Sequence, residues 1–136
     1  MPVAGAAPAP PVSPRSRRST AATAAKQARR SWIPEVTDLA NTIDVRARCA
    51  RVAKEGGIVA LLHEDAATGF ASLNLREAPE VVLVIGPEGG LTDVEVGDLT
   101  ALGGRSVVLG PEVLRTAAAG AVALGALGAL TDRWAR

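Results

Sequence analysis

The sequence predicts an α/β domain with a parallel sheet covered by helices on both faces. Three observations carry this. IVALL (58–62), VVLVI (81–85) and SVVL (106–109) are almost continuously apolar, where a sheet with one wet face would alternate apolar and polar residues. Segments with helical signals lie between and around these runs, the pattern of strands joined by crossovers. The second and third runs both end in Gly-Pro, a sharp exit from a strand. The chain has 136 residues, enough for one domain with a modest core, and 48% are hydrophobic but only 2% aromatic. Packing must therefore rest on Val, Leu, Ile and Ala.

Taken in order, residues 1–18 read as a disordered Pro/Ala/Arg-rich leader, because nothing there buries enough surface to offset ordering entropy. The domain runs over 19–136. Helical signal starts near Ser19 with STAATAAKQARR and stops before Pro34, which disfavours helix at Ile33. Asp44 is placed to cap a helix DVRARCARVAKE, and Gly56 and Gly57 end it. IVALL follows as the first strand, then a loop HEDAATGF and a polar stretch, then VVLVI. After GPEGG, Thr92 and Glu95 form a capping box for a helix ending at Gly103 and Gly104. SVVL is the third strand, and a final helix spans roughly Pro111 to Trp134.

Charge is distributed unevenly behind a formal net of +1. All 14 Asp and Glu residues lie after Pro34, whereas the front carries Arg15, Arg17, Arg18, Lys26, Arg29 and Arg30. A basic arm attracts polyanions such as nucleic acid through counterion release, but charge alone reads no sequence, and a solvated tail is the commoner role. Cys49 is the single cysteine, which excludes an internal disulfide and a multi-cysteine metal site and points to a reducing, cytoplasmic compartment. No metal is expected. The leader lacks the apolar core of a secretory signal, and the apolar run at 117–130 is shorter than the roughly 20 residues of a bilayer span.

In parallel sheets, ligands sit beyond the carboxyl ends of the strands. Three segments end there: Leu62 and His63, the GPEGG loop, and Gly110 with Pro111. GPEGG is not a phosphate cradle by spacing. Neither GxGxxG nor GxxxxGK[ST] is present, and no Lys or Arg lies between Arg76 and Arg105. A loop that sets Glu88 among glycines suits a ligand that is neutral or cationic nearby, since glycines let the backbone approach and Glu88 accepts hydrogen bonds. The same glycines also serve a plain strand-to-helix turn. In LGPEVLRTAAAG (109–120), Arg115 is an isolated cation at the head of an uncharged run from Thr116 to Thr131. It either pairs with a carboxylate such as Glu88 or Glu112, or points at an anionic group in a pocket.

GPEGGLTDVE followed by LGPEVLRT resembles the 16S ribosomal RNA uracil-N3 methyltransferase family, a branch of the SPOUT methyltransferases. KQARRSWIPEV and LLHEDA resemble the family's stretches that precede and open the domain, so the resemblance covers about 18–136. It implies a knotted α/β domain, a C-terminal trefoil knot being an exception to the rule that chains do not thread. It implies S-adenosylmethionine as cofactor, held by Leu62 and His63 at the first strand end, by Ile85, Gly86, Pro87, Glu88, Gly89 and Gly90 at the second, and by Leu109, Gly110, Leu114, Arg115 and Thr116 at the third. It also implies a homodimer, in keeping with a final helix that is apolar on nearly every face.

The reading that follows is a methyltransferase acting on N3 of a uridine in small-subunit ribosomal RNA. Arg115 is then the catalytic residue, stabilising the imide charge that spreads onto two carbonyl oxygens once N3 loses its proton. Glu88 and His63 are candidates for the base. Two departures are visible. The family continues LRT with a glutamate and a threonine or serine, where this chain has Ala117 and Ala118, and the family's N-terminal RNA-binding β-barrel has no counterpart in these residues. They keep two alternatives open: a non-catalytic, truncated remnant that binds cofactor or a partner chain, and a related enzyme acting on transfer RNA.

Overall fold

A computed structural model describes residues 13–27, 34–110 and 116–134, with side chains left aside at 14, 116 and 117. It divides into two compact units, Met1–Asn41 and Thr42–Arg136.

In the first unit, helix α1 spans Pro14–Gln27. It begins earlier than the Ser19 expected. The reason is local. Ser13 Oγ accepts the Ser16 N–H at 3.2 Å, its carbonyl accepts the Arg17 N–H at 3.0 Å, and Pro14 occupies the first helical position, where its missing N–H costs nothing. Arg18 ties the helix to the extended segment after Pro34: Nε donates to the Val36 carbonyl at 3.0 Å and Nη2 meets Asp38 Oδ1 at 2.5 Å. An open depression of about 570 Å³ lies there, lined by Arg18 and residues 34–38, and it contains none of the expected site residues.

The second unit is the sheet and its cover. Helix α2 (Thr42–Lys54) leads to β1 (Ile58–Leu62), β2 (Val81–Ile85) follows, then α3 (Asp93–Ala101), β3 (Arg105–Val107) and α4 (Thr116–Leu130). Asp44 lies in the first turn of α2, which starts two residues before it. The strands are all parallel in the order β2-β1-β3, the α/β class expected.

Alternation along the central strand divides the core. Val59 and Leu61 face one side with Cys49 and Val52 of α2 and Leu99 of α3. Ala60 faces the other with Phe70, Leu73, Leu75 and Val107, against which Ala126 and Leu127 of α4 pack. Phe70 comes from the expected loop, and Leu73 and Leu75 from the polar stretch after it; the two make short 3₁₀ turns, Phe70–Ser72 and Leu75–Glu77, that turn these side chains inward.

β3 is shorter than SVVL predicted. Val108 leaves β1 and pairs on the opposite side of β3: its N–H donates to Thr68 O at 2.9 Å and its carbonyl accepts the Phe70 N–H at 2.8 Å. The chain that leaves β1 thus returns along the outer side of β3. Helix α4 ends at Leu130, and Asp132–Trp134 form a separate 3₁₀ turn instead of extending it. Among the described residues no helix is long and apolar enough to cross a membrane.

Candidate functional site

Register aligns the strand ends. Leu62 is opposite Ile85 on one side and Val107 on the other, so the three strands stop at one level. Leu62 stands at this level, and beyond it lie His63, the 86–90 loop, and Leu109 with Gly110, the carboxyl edge where a parallel sheet binds ligands. The His63 N–H donates to Val107 O at 3.0 Å, fastening the first residue past the central strand. The chain then turns sharply: Ala66 N–H donates to His63 O at 3.2 Å, and Asp65 N–H donates to His63 Nδ1 at 3.2 Å.

The second loop contains glycines of two kinds. A Cβ on Gly86 would lie 2.8 Å from Leu91 N and 2.9 Å from the Gly90 carbonyl carbon, so this glycine lets the loop fold back on itself. Gly90 N–H closes a turn onto Pro87 O at 2.8 Å, and Gly90 adopts φ +78°, a left-handed conformation that favours glycine. Gly89 differs, because a Cβ there meets nothing within 4 Å among the described residues. Glu88 is exposed, without a hydrogen-bond or ion-pair partner among the described residues. The turn ends in the capping box read from the sequence, with Thr92 N–H donating to Glu95 Oε2 at 2.8 Å and Glu95 N–H to Thr92 Oγ1 at 3.2 Å. That box fixes where α3 begins and so where the loop must end.

At the third end, Leu109 packs against the Phe70 core. Leu114 and Arg115 lie outside the described residues, and Thr116 opens α4. That helix passes close to β2. A Cβ on Gly120 would lie 3.4 Å from Ile85 Cδ1, so the small residue lets the first turns of α4 approach the same edge. Of the expected residues, the structure therefore brings together Leu62, His63, the 85–90 segment, Leu109 and Gly110. Thr68 and Gly69 hold the outer side of β3 beside this edge and carried no local signal in the sequence, because their pairing is backbone to backbone over a long separation.

The charged side chains described at these ends are all acidic: Glu64, Asp65 and Glu88. Such an edge suits a ligand that is uncharged or positive where it meets the loops. Among the described residues no group of three or more His, Cys, Asp or Glu is arranged to hold a metal ion.

Comparison with known proteins bears on this geometry. Residues 12–128 match a family model described as an RNA methyltransferase domain. Ribosomal RNA small subunit methyltransferase E of Mycobacterium tuberculosis is 42% identical over 106 residues, which is 78% of this chain and 40% of that protein. The enzyme of the same name from Bacillus subtilis is 42% identical over 59 residues, 43% of this chain and 23% of that one. Among solved structures, Lpg2936 of Legionella pneumophila, solved in complex with the bound cofactor SAM, superposes with TM-score 0.73 at 30% identity over 87% of this chain and 46% of its own. The Neisseria gonorrhoeae ribosomal RNA small subunit methyltransferase E, bound to S-adenosyl methionine, shares the fold at TM-score 0.71 and 23% identity, over 84% of this chain and 46% of its own. The chain spans about 40% of the length of the mycobacterial relative. By a match that covers most of its length, the chain belongs to the RNA methyltransferase domain family.

Proposed function

We propose that this domain transfers a methyl group from S-adenosylmethionine to N3 of a uridine in 16S ribosomal RNA, working as a homodimer with a knotted C-terminal path. The observation that carries the proposal is the alignment of three strand ends at one level, with no described residue within 4 Å of a Cβ placed on Gly89. The similarity to proteins named for small-subunit RNA methylation, and to one solved with SAM, supports it.

The residues present fit such a cofactor. Gly89 leaves room for close backbone approach, Leu62 and Leu109 offer apolar surface, and Glu88 can accept hydrogen bonds from a ribose or an amine. When bound, the cofactor supplies an electrophilic methyl on a positively charged sulfonium, which an acidic edge tolerates. The chain's part is to position the acceptor and to stabilise charge. Arg115 is assigned to the uracil oxygens, where a planar guanidinium matches a delocalised imide.

The knot draws support from the 68–70 segment running along the outer side of β3, which leaves β3 between β1 and the chain that follows β1. The dimer draws support from α4, uncharged throughout, with Val122 and Leu124 exposed. Covering that face contributes roughly 25 cal/mol per Å² of apolar area, and sedimentation at micromolar concentration checks it. A compact monomer would count against the dimer.

The test of function is methylation of small ribosomal subunits stripped of the modification. Wild-type protein is expected to turn over, and Arg115→Lys to keep cofactor affinity within a few fold while losing rate by on the order of 10². Cofactor binding without turnover would select the non-catalytic reading, and turnover on transfer RNA alone would reassign the substrate.

A further inference from the structure

We propose that α1 is a surface that holds substrate RNA: Arg15, Arg17 and Lys26 contact phosphates, and the hydroxyls of Ser16, Ser19 and Thr23 between them donate hydrogen bonds to the same backbone. The inference rests on the RNA substrate of the reading above and adds a binding surface to it. The need for one comes from the site. RNA is a polyanion, and the charged side chains described at the carboxyl edge of the sheet, Glu64, Asp65 and Glu88, repel it. That edge can take in one nucleotide, but a hold on the rest of the strand requires unneutralised cations elsewhere.

Helix α1 supplies them. It contains no acid, and its first turn has none to complement the positive end of the helix dipole. The acids of its unit are Glu35 and Asp38, and Asp38 is taken by Arg18, which also donates to Val36 O. Arg18 is thus a strut within the fold. Arg15, Arg17 and Lys26 are exposed and have no ion-pair partner among the described residues. Helical periodicity then orders the face. Ser16, Ser19 and Thr23, at i, i+3 and i+7, form a row on the side away from the buried Ala25. Arg15 and Lys26 border that row on one side, about three turns or roughly 16 Å apart, and Arg17 borders it on the other. Thr20 is excluded as a donor, because its hydroxyl already donates to Ser16 O at 3.0 Å. Hydroxyl donors set between cations suit phosphate oxygens. A lipid surface fits poorly, since the apolar residues of α1 beyond Pro14 are all alanine and offer nothing to insert among acyl chains.

The test is anisotropy of a fluorescein-labelled single-stranded RNA oligonucleotide, titrated with the whole chain at several KCl concentrations and without cofactor. Combining Arg15→Gln, Arg17→Gln and Lys26→Gln should weaken binding at least about 10-fold at low salt and flatten the slope of log K against log salt by about 2, because each phosphate contact on a single strand contributes about 0.7. Arg15→Lys with Arg17→Lys keeps the charges and should keep the slope. Combining Ser16→Ala, Ser19→Ala and Thr23→Ala should weaken binding about 3-fold with the slope unchanged, since no charge is removed. A charge-matched control in the second unit, Lys54→Gln with Arg105→Gln and Arg133→Gln, removes three exposed cations and should leave affinity and slope close to wild type. Equal losses in the two charge-matched variants would mean that net charge alone attracts the RNA, and would overturn the assignment; so would tighter binding to phosphatidylserine vesicles than to RNA. The two readings fail separately. Wild-type protein that binds RNA through α1 but never methylates it sinks the proposed function and leaves this surface standing, whereas methylation with RNA affinity unchanged in the Arg15, Arg17 and Lys26 variant does the reverse.

Discussion

The two ends of one small sheet are built for opposite purposes. At the amino end, Gly57 is wedged between α2 and the chain entering β2: a Cβ there would lie 2.5 Å from Val52 Cγ1 and 2.7 Å from Glu80 O. Ile58 N–H donates to Glu80 O at 2.9 Å, and the Glu80 side chain pairs with Arg51 at 3.4 Å and Arg48 at 3.9 Å. At the carboxyl end, a Cβ on Gly89 would meet no described residue within 4 Å, and Glu88 has no described partner. The same residue types, glycine and glutamate, close one end and leave the other available. Residue type at a strand end therefore says little about function; what surrounds it decides.

Substitutions that exchange these environments test the contrast. Gly57→Ala should destabilise by about 3 kcal/mol, the upper range for overpacking, because two of the three nearest atoms are backbone oxygens that cannot give way. The urea midpoint measures this. Gly86→Ala should cost about 2 kcal/mol by the same reasoning, and it should weaken cofactor binding as well, since the 86–91 loop loses its shape. Stability and affinity falling together would mark Gly86 as the structural glycine of the site. Gly89→Val should do the reverse, leaving stability within about 0.5 kcal/mol while weakening S-adenosylmethionine binding at least about 10-fold. If that variant binds like the parent, the open side of the loop is not where the cofactor lies.

How much of this contrast the sequence disclosed depends on how local its cause is. The Thr92–Glu95 capping box and the three apolar runs were legible because each is decided within a few residues. The start of α1 at Pro14 was equally local and was missed, because the arginines after Ser13 looked like a tail; Ser13-Pro14 was the available signal. The pairing of Val108 with Gly69, and the burial of Phe70, Leu73 and Leu75, were not legible, since they depend on backbone partners and core space far along the chain. At the site, GPEGG announced a turn, but only the packing separates Gly86 from Gly89.

The closed end should also show in small effects. Glu80→Gln is expected to cost about 0.5 kcal/mol at low salt and less at high salt, because its arginine partners are half exposed and screened. Burial pushes the Cys49 thiol up from its ordinary range, with the Arg48 charge opposing the shift. The unfolded chain ionises this thiol first, so the stability it contributes is present below the ordinary thiol range and lost as pH rises through it. Alkylation of Cys49 in the folded protein should be slow and should track global unfolding. Fast labelling under native conditions would mean that α2 opens away from the sheet by itself.

Amide hydrogen exchange with and without S-adenosylmethionine tests most directly whether the carboxyl end of the sheet is the binding end. Added protection is expected in residues 62–66, 85–91 and 109–116, with no change at Gly57, Ile58 and Glu80. Protection confined to the amino end, or none at saturating cofactor, would contradict the assignment of this edge as the site.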